Sequence, residues 1–203
     1  MSNNAEYYAV FSESHANVPD LMIDNDYLGN LCFLSQKRKT LPSEEYARLE
    51  FNPPYPPHLR WIDGLKLSGT TQVFSQKIYD VLSKVEIKGL QLVPTIIKTN
   101  KGELVKNFWT ANIYQRFAFF DEEKSKYGRI SKITGEWKNI EKVVLDKEKL
   151  ASVPLEDRLV FIAEESCIYY FYHKSVVDII MSANPEGVYF TPVGKLCEDE
   201  QFD

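Results

Sequence analysis

The sequence predicts an α+β fold with mixed sheets, on three observations. Aromatic and β-branched stretches follow one another directly, as at residues 107–114 and 117–120, so strands come in runs and do not alternate strictly with helices. Two stretches carry an apolar stripe at helical spacing: Ile78, Val81, Leu82 and Val85, then Val176, Val177, Ile180 and Met181. Each stripe lies between two strand-like stretches, and the two strand–helix–strand units are related by a weak internal repeat. A chain of 203 residues suits one domain or two small lobes, and it folds without needing a disulfide or a metal.

Taken in order, residues 7–11 are aromatic and β-prone, and residues 27–33 suit a hairpin element interrupted at Gly29 and Asn30. Residues 42–49 read as a short helical stretch with Ser43 as its cap. Pro53, Pro54, Pro56 and Pro57 then fall within six residues, which removes backbone donors and favours an extended surface crossing. A lobe boundary is expected here. It separates a small β-rich lobe over 1–60 from an α+β domain over 61–195, with an acidic tail at 196–203.

Within the repeat, residues 73–82 correspond to residues 170–179, each running from an aromatic strand into a helix that opens near a lysine. Downstream, Gly89 to Pro94 answers Gly187 to Pro192, with the pattern Gly, two residues, a large apolar residue, one residue, Pro. A glycine just past a helix supplies a positive φ, and the prolines are expected to end their strands. A right-handed crossover is expected if the flanking strands are parallel neighbours. Residues 141–146 and 158–163 read as further strands.

Composition excludes several functions. Charged residues are 26% and the net charge is −5, of which Glu198, Asp199, Glu200 and Asp203 carry four, leaving −1 for the rest. Residues 98–149 hold twelve bases against eight acids, too mixed for a nucleic-acid face. No uncharged apolar run approaches about 18 residues, so no membrane-spanning helix is expected. The N-terminus lacks the basic and apolar segments of a signal peptide, and Cys32, Cys167 and Cys197 are odd in number without a CxxC pair. Both features fit a reducing cytoplasm.

The motifs of common chemistries are missing. His15, His58 and His173 are far apart, with no metal-ligand spacing, and no metal or cofactor is expected. GxSxG, GxGxxG and GxxxxGK[ST] do not occur. His173 opens the second helix, where capping is the expected role. Adjacent acids such as Glu164 and Glu165 read as solvated loop residues. Aromatics make up 13% of the chain, more than two packed helical units require, which places Tyr55, Trp61 or Tyr127 on a recognition surface. The same surplus would serve a homodimer.

From about Trp61 onward the chain resembles a family of bacterial polymorphic-toxin immunity proteins. The resemblance rests on an ordered series: Ser75 where an apolar strand enters a helix, Leu92-Val-Pro94, Asn112 in an aromatic strand, Asp121 and Ser125 after an apolar run, Val144-Leu-Asp146, and Gly187-Val-Tyr-Phe190-Thr-Pro192. Residues 172–173 depart from it, because a serine would be expected at the start of the second helix.

The resemblance implies a non-catalytic binding protein that neutralises a cognate toxin by direct association. Its motif residues would be structural, Asp121 and Ser125 forming a turn or cap. Partner contacts would lie elsewhere, on variable surface; the residues themselves offer the aromatics Tyr55, Trp61 and Tyr127 and, for a basic partner, the acidic Glu198, Asp199 and Glu200. Two other readings stand beside it. One is a small hydrolase or transferase with a site between the lobes. The other is a generic interaction module using the proline-rich crossing.

Overall fold

The computed structural model describes residues 6–24, 40, 42, 46–67, 71–166 and 168–196. The expected hairpin at 27–33, the Ser43 cap, the three cysteines and the acids Glu198, Asp199 and Glu200 lie outside those residues. The described chain is mixed α+β, mostly strands with three helices.

A six-stranded sheet runs in the order β2 (Leu21–Ile23), β3 (Ala47–Phe51), β6 (Leu90–Lys98), β7 (Leu104–Ile113), β5 (Gln72–Ser75), β4 (Gly64–Lys66). A five-stranded sheet runs β13 (Val188–Pro192), β1 (Tyr7–Ser12), β12 (Tyr170–His173), β11 (Val160–Ala163), β8 (Arg116–Phe117). A separate hairpin pairs β9 (Lys126–Ile130) with β10 (Trp137–Lys142). The helices are α1 (Gln76–Leu82), α2 (Lys147–Ala151) and α3 (Lys174–Ser182).

Both strand–helix–strand units, β5–α1–β6 and β12–α3–β13, are split. β7 lies antiparallel between β5 and β6, and β1 lies antiparallel between β12 and β13. The flanking strands are therefore parallel but not neighbours, so the condition for a right-handed crossover between neighbouring strands is not met. β1 joins β13 to β12 inside the five-stranded sheet, while β3 pairs in parallel with β6, so strands from before residue 60 take part in both sheets.

Alternation along the strands explains three cores. Tyr170 and Tyr172 enter a cluster shared with α1, α3 and the six-stranded sheet, whereas Phe171 between them faces the hairpin and α2. Both faces of the five-stranded sheet are thus covered, which accounts for the nearly continuous apolar runs of β11 and β12. A third cluster joins Leu21, Leu49, Ile62, Val73 and Phe108 on the other side of the six-stranded sheet.

Several local expectations change. Residues 47–49 belong to β3 and not to a helix, because Ala47 and Leu49 are buried at period two against β6. Of residues 117–120, only Phe117 lies in a strand, while Phe120 makes a single bridge to Leu145. The strand expected at 141–146 starts earlier, at Trp137, and ends at Lys142. Val85 and Met181 are exposed, so the buried faces are narrower: Ile78 and Leu82 on α1, and Val176, Val177 and Ile180 on α3. Pro94 does not end β6. The ladder to β3 begins only at Thr95, so Pro94 interrupts nothing on that side. Pro192 does end β13, an edge strand.

Candidate functional site

The series residues meet first at the head of α1. Ser75 occupies the N-cap position, but its hydroxyl donates to Asp63 Oδ1 at 2.6 Å and makes no cap bond. Asp63 Oδ2 accepts the Glu186 N–H at 2.8 Å and Lys77 Nζ at 3.2 Å. Backbone bonds run from Asp63 N–H to the Glu186 carbonyl and from Ser75 N–H to the Asp63 carbonyl. Lys77 Nζ also donates to the Asn184 carbonyl at 2.7 Å, and Arg60 bridges Glu13 and Glu186. Burial works to raise the Asp63 pKa, but the bonds from Ser75, the Glu186 amide and Lys77 outweigh it and hold the carboxyl below its ordinary value.

Gly187 follows this junction with φ +75°, and a Cβ there would stand 2.4 Å from Ile62 Cδ1. The loop into β13 therefore needs glycine for both conformation and space. Asp63 escaped the sequence reading, since its partners lie 12 and 123 residues away and it belongs to no motif.

His173 takes the place where a serine was expected. Its Nδ1 accepts the Ser175 N–H at 3.2 Å, capping α3, and lies 2.9 Å from Ser175 Oγ. The Tyr7 ring meets the imidazole edge-on at 5.3 Å. Burial pushes its pKa below the usual histidine value. His15 Nδ1 accepts the Asn17 N–H, and His58 is exposed in the loop after the prolines. Among the described residues no three His, Cys, Asp or Glu side chains gather as metal ligands, and no helix is long and apolar enough to cross a membrane.

The remaining series residues each have a local task. Asp121 turns the chain: its Oδ1 accepts the Lys124 N–H at 3.1 Å, its carbonyl accepts the Ser125 N–H, and its Oδ2 pairs with Lys124. Ser125 Oγ accepts the Val144 N–H at 3.0 Å and donates to the Val144 carbonyl at 3.3 Å, tying the turn to the segment after β10. Buried Asn112 donates across the ladder to Gln91 Oε1 at 3.2 Å. Phe190 packs edge-on against Tyr172. Asp146 caps α2 through the Glu148 and Lys149 amides.

Glu165 reverses its expectation as a solvated acid. It is only 8% exposed, its Oε1 accepts the Phe120 N–H at 2.7 Å, and its backbone carbonyl accepts the Trp137 N–H. Burial raises its pKa against the opposing Phe120 bond. Glu165 and Ser166 are held inside the core while Glu164 stays exposed, a difference that adjacency of two acids in sequence does not reveal.

Of the surface candidates, Tyr55 is half exposed and lines a groove of about 470 Å³ with Glu13, His15, Asp20, Pro53, Pro54 and Lys66. Trp61 is partly buried between Phe51 and Phe108, with ring centroids at 5.7 and 5.2 Å. Tyr127 stacks on Trp137 at 4.0 Å, and its hydroxyl donates to Glu122.

Compared with known proteins, residues 9–195 match the model of an immunity protein family, Imm11. The match begins ahead of the proline-rich crossing, well before the stretch that carries the sequence resemblance. No curated protein matches the chain. A match over this span, whose series residues hold the helix heads and turns described above, decides the assignment: the chain belongs to the Imm11 immunity protein family, whose general role is toxin neutralisation.

Proposed function

We propose that this protein neutralises a cognate bacterial toxin in the cytoplasm by direct, non-catalytic 1:1 association. The observation that carries the reading is the family match over residues 9–195. The local tasks of the series residues support it, because Ser75, Asp121, Ser125 and Gly187 serve junctions and turns and leave recognition to the surface. Occlusion of the toxin's active site by an interface on the order of 1,600 Å² would suffice. We also read β5–α1–β6 and β12–α3–β13 as copies of one unit, a reading supported by their shared split layout and by the positive φ of both Gly89 and Gly187.

The test is to identify a toxin domain encoded in the genes flanking this one and to co-express it with this chain. Rescue of growth and stoichiometric co-purification are expected. Continued killing with no complex would overturn the reading.

A further inference from the structure

The β9–β10 hairpin carries charges that its own stability does not explain. Register places Arg129 directly opposite Lys138, and Lys126 directly opposite Lys142. Like charges facing each other across a ladder destabilise it. All four side chains are exposed, as is Lys132 at the turn. Lys138 pairs with Glu136 at 2.8 Å, but among the described residues Lys126, Arg129, Lys132 and Lys142 make no ion pair. Residues 126–142 hold five bases against Glu136 and Glu141, a net +3 on a chain of net −5.

An apolar side chain stands at the tip. Ile133 is 96% exposed and Ile130 43%. The turn that presents them is tightly bonded: Ser131 Oγ accepts the Ile133 and Thr134 amides, the Ser131 carbonyl accepts the Gly135 N–H, and Ser131 N–H donates to the Glu136 carbonyl at 2.7 Å. Gly135 supplies the positive φ of +74° that this turn needs. The inner side is anchored by buried Trp137 and Ile140. The hairpin therefore holds an exposed isoleucine among unpaired cations on a fixed frame, and little conformational freedom remains to be lost on binding.

We infer that the β9–β10 hairpin is the element that engages the toxin, with Ile133 entering an apolar pocket rimmed by the toxin's carboxylates. This rests on the proposed function. Carboxylates placed between the opposed cations would relieve the repulsion that the free hairpin carries, so binding gains what folding gives up. A protein partner fits better than a nucleic acid, since net +3 on one ribbon is not a coherent basic face and a phosphate backbone offers no pocket for an isoleucine.

The test uses the full chain and the toxin domain identified by the functional test above. Arg129→Glu/Lys132→Glu and, separately, Ile133→Asp are compared with the unmodified protein for binding, salt dependence and melting temperature. The expected result is a Kd raised at least about tenfold for each variant, with a flatter salt dependence for the charge variant. Melting temperatures should be unchanged or higher, because the glutamate replacing Arg129 would face Lys138 as an opposite charge. Affinity within about twofold for both variants overturns the inference and leaves the functional reading standing. Failure of the unmodified chain to bind or protect overturns both. Binding of a short DNA duplex or of phosphatidylserine vesicles through the same cations, with toxin affinity unaffected, assigns the hairpin another partner and also overturns it.

Discussion

The Ser75 hydroxyl donates to Asp63 Oδ1 at 2.6 Å, so the serine at the head of α1 binds a carboxylate and leaves its own helix uncapped. Through Asp63 the helix head is joined to Glu186 in the loop before β13, 123 residues further along the chain. One carboxylate thus ties the two strand–helix–strand units together.

Asp63→Ala should lower stability by roughly 1–2 kcal/mol, since it removes a half-buried carboxylate and its charge-assisted bonds to Ser75, the Glu186 amide and Lys77. Denaturant unfolding measures this. The lowered Asp63 pKa sets the pH dependence: its contribution is complete above the ordinary carboxyl value of 3.8 and is lost as pH falls through the lowered one. Acid unfolding of the variant should therefore show less of that final loss.

Gly187→Ala combines a strained φ of +75° with a Cβ inside the Ile62 side chain. A loss of about 2 kcal/mol or more follows, which for a chain of this size lowers the melting temperature by about 4–8 °C. Gly102→Ala, with φ +83° and open space around it, carries the backbone strain alone and should cost less.

Tyr172 is fully buried, and its hydroxyl has no hydrogen-bond partner among the described residues. Tyr172→Phe should leave stability unchanged or raise it by about 1 kcal/mol, because an unsatisfied buried hydroxyl is removed without creating a cavity. A drop of the same size in thermal unfolding would show that the hydroxyl is bonded.

His173 caps α3 as a neutral ring, with Glu6, Asp178, Arg158 and Lys174 as the charges around it. Its pKa lies below the ordinary 6.5, so its stabilisation is complete above 6.5 and declines as pH falls from there to the lowered value. His173→Asn keeps a capping acceptor and should remove that slope below pH 6.5, whereas His173→Ala should cost about 1 kcal/mol at neutral pH. Thermal melts across the range distinguish the two.

Local chemistry made much of the chain readable. The stripes around Ile78 and Val177 located α1 and α3, and the glycines after them, Gly89 and Gly187, both take the positive φ expected past a helix. The Asp121–Ser125 turn has short-range bonds within it, and such bonds follow from residue type and spacing. The ordered series from Ser75 to Pro192 pointed to the family. Tertiary structure alone decided which strands meet. Period-two alternation says which side of a strand is buried but not which strand lies beside it, so the insertion of β1 between β12 and β13, and of β7 between β5 and β6, was not visible beforehand. For the same reason Trp61 packed inward between Phe51 and Phe108, Glu165 became a core acid, and Asp63 found its partners far along the chain. The opposition of Arg129 and Lys138 is also a matter of register, set by the turn at Ser131–Gly135 and by the anchoring of Trp137 and Ile140. Charge can be counted in a sequence, but its placement across a ladder depends on long-range pairing.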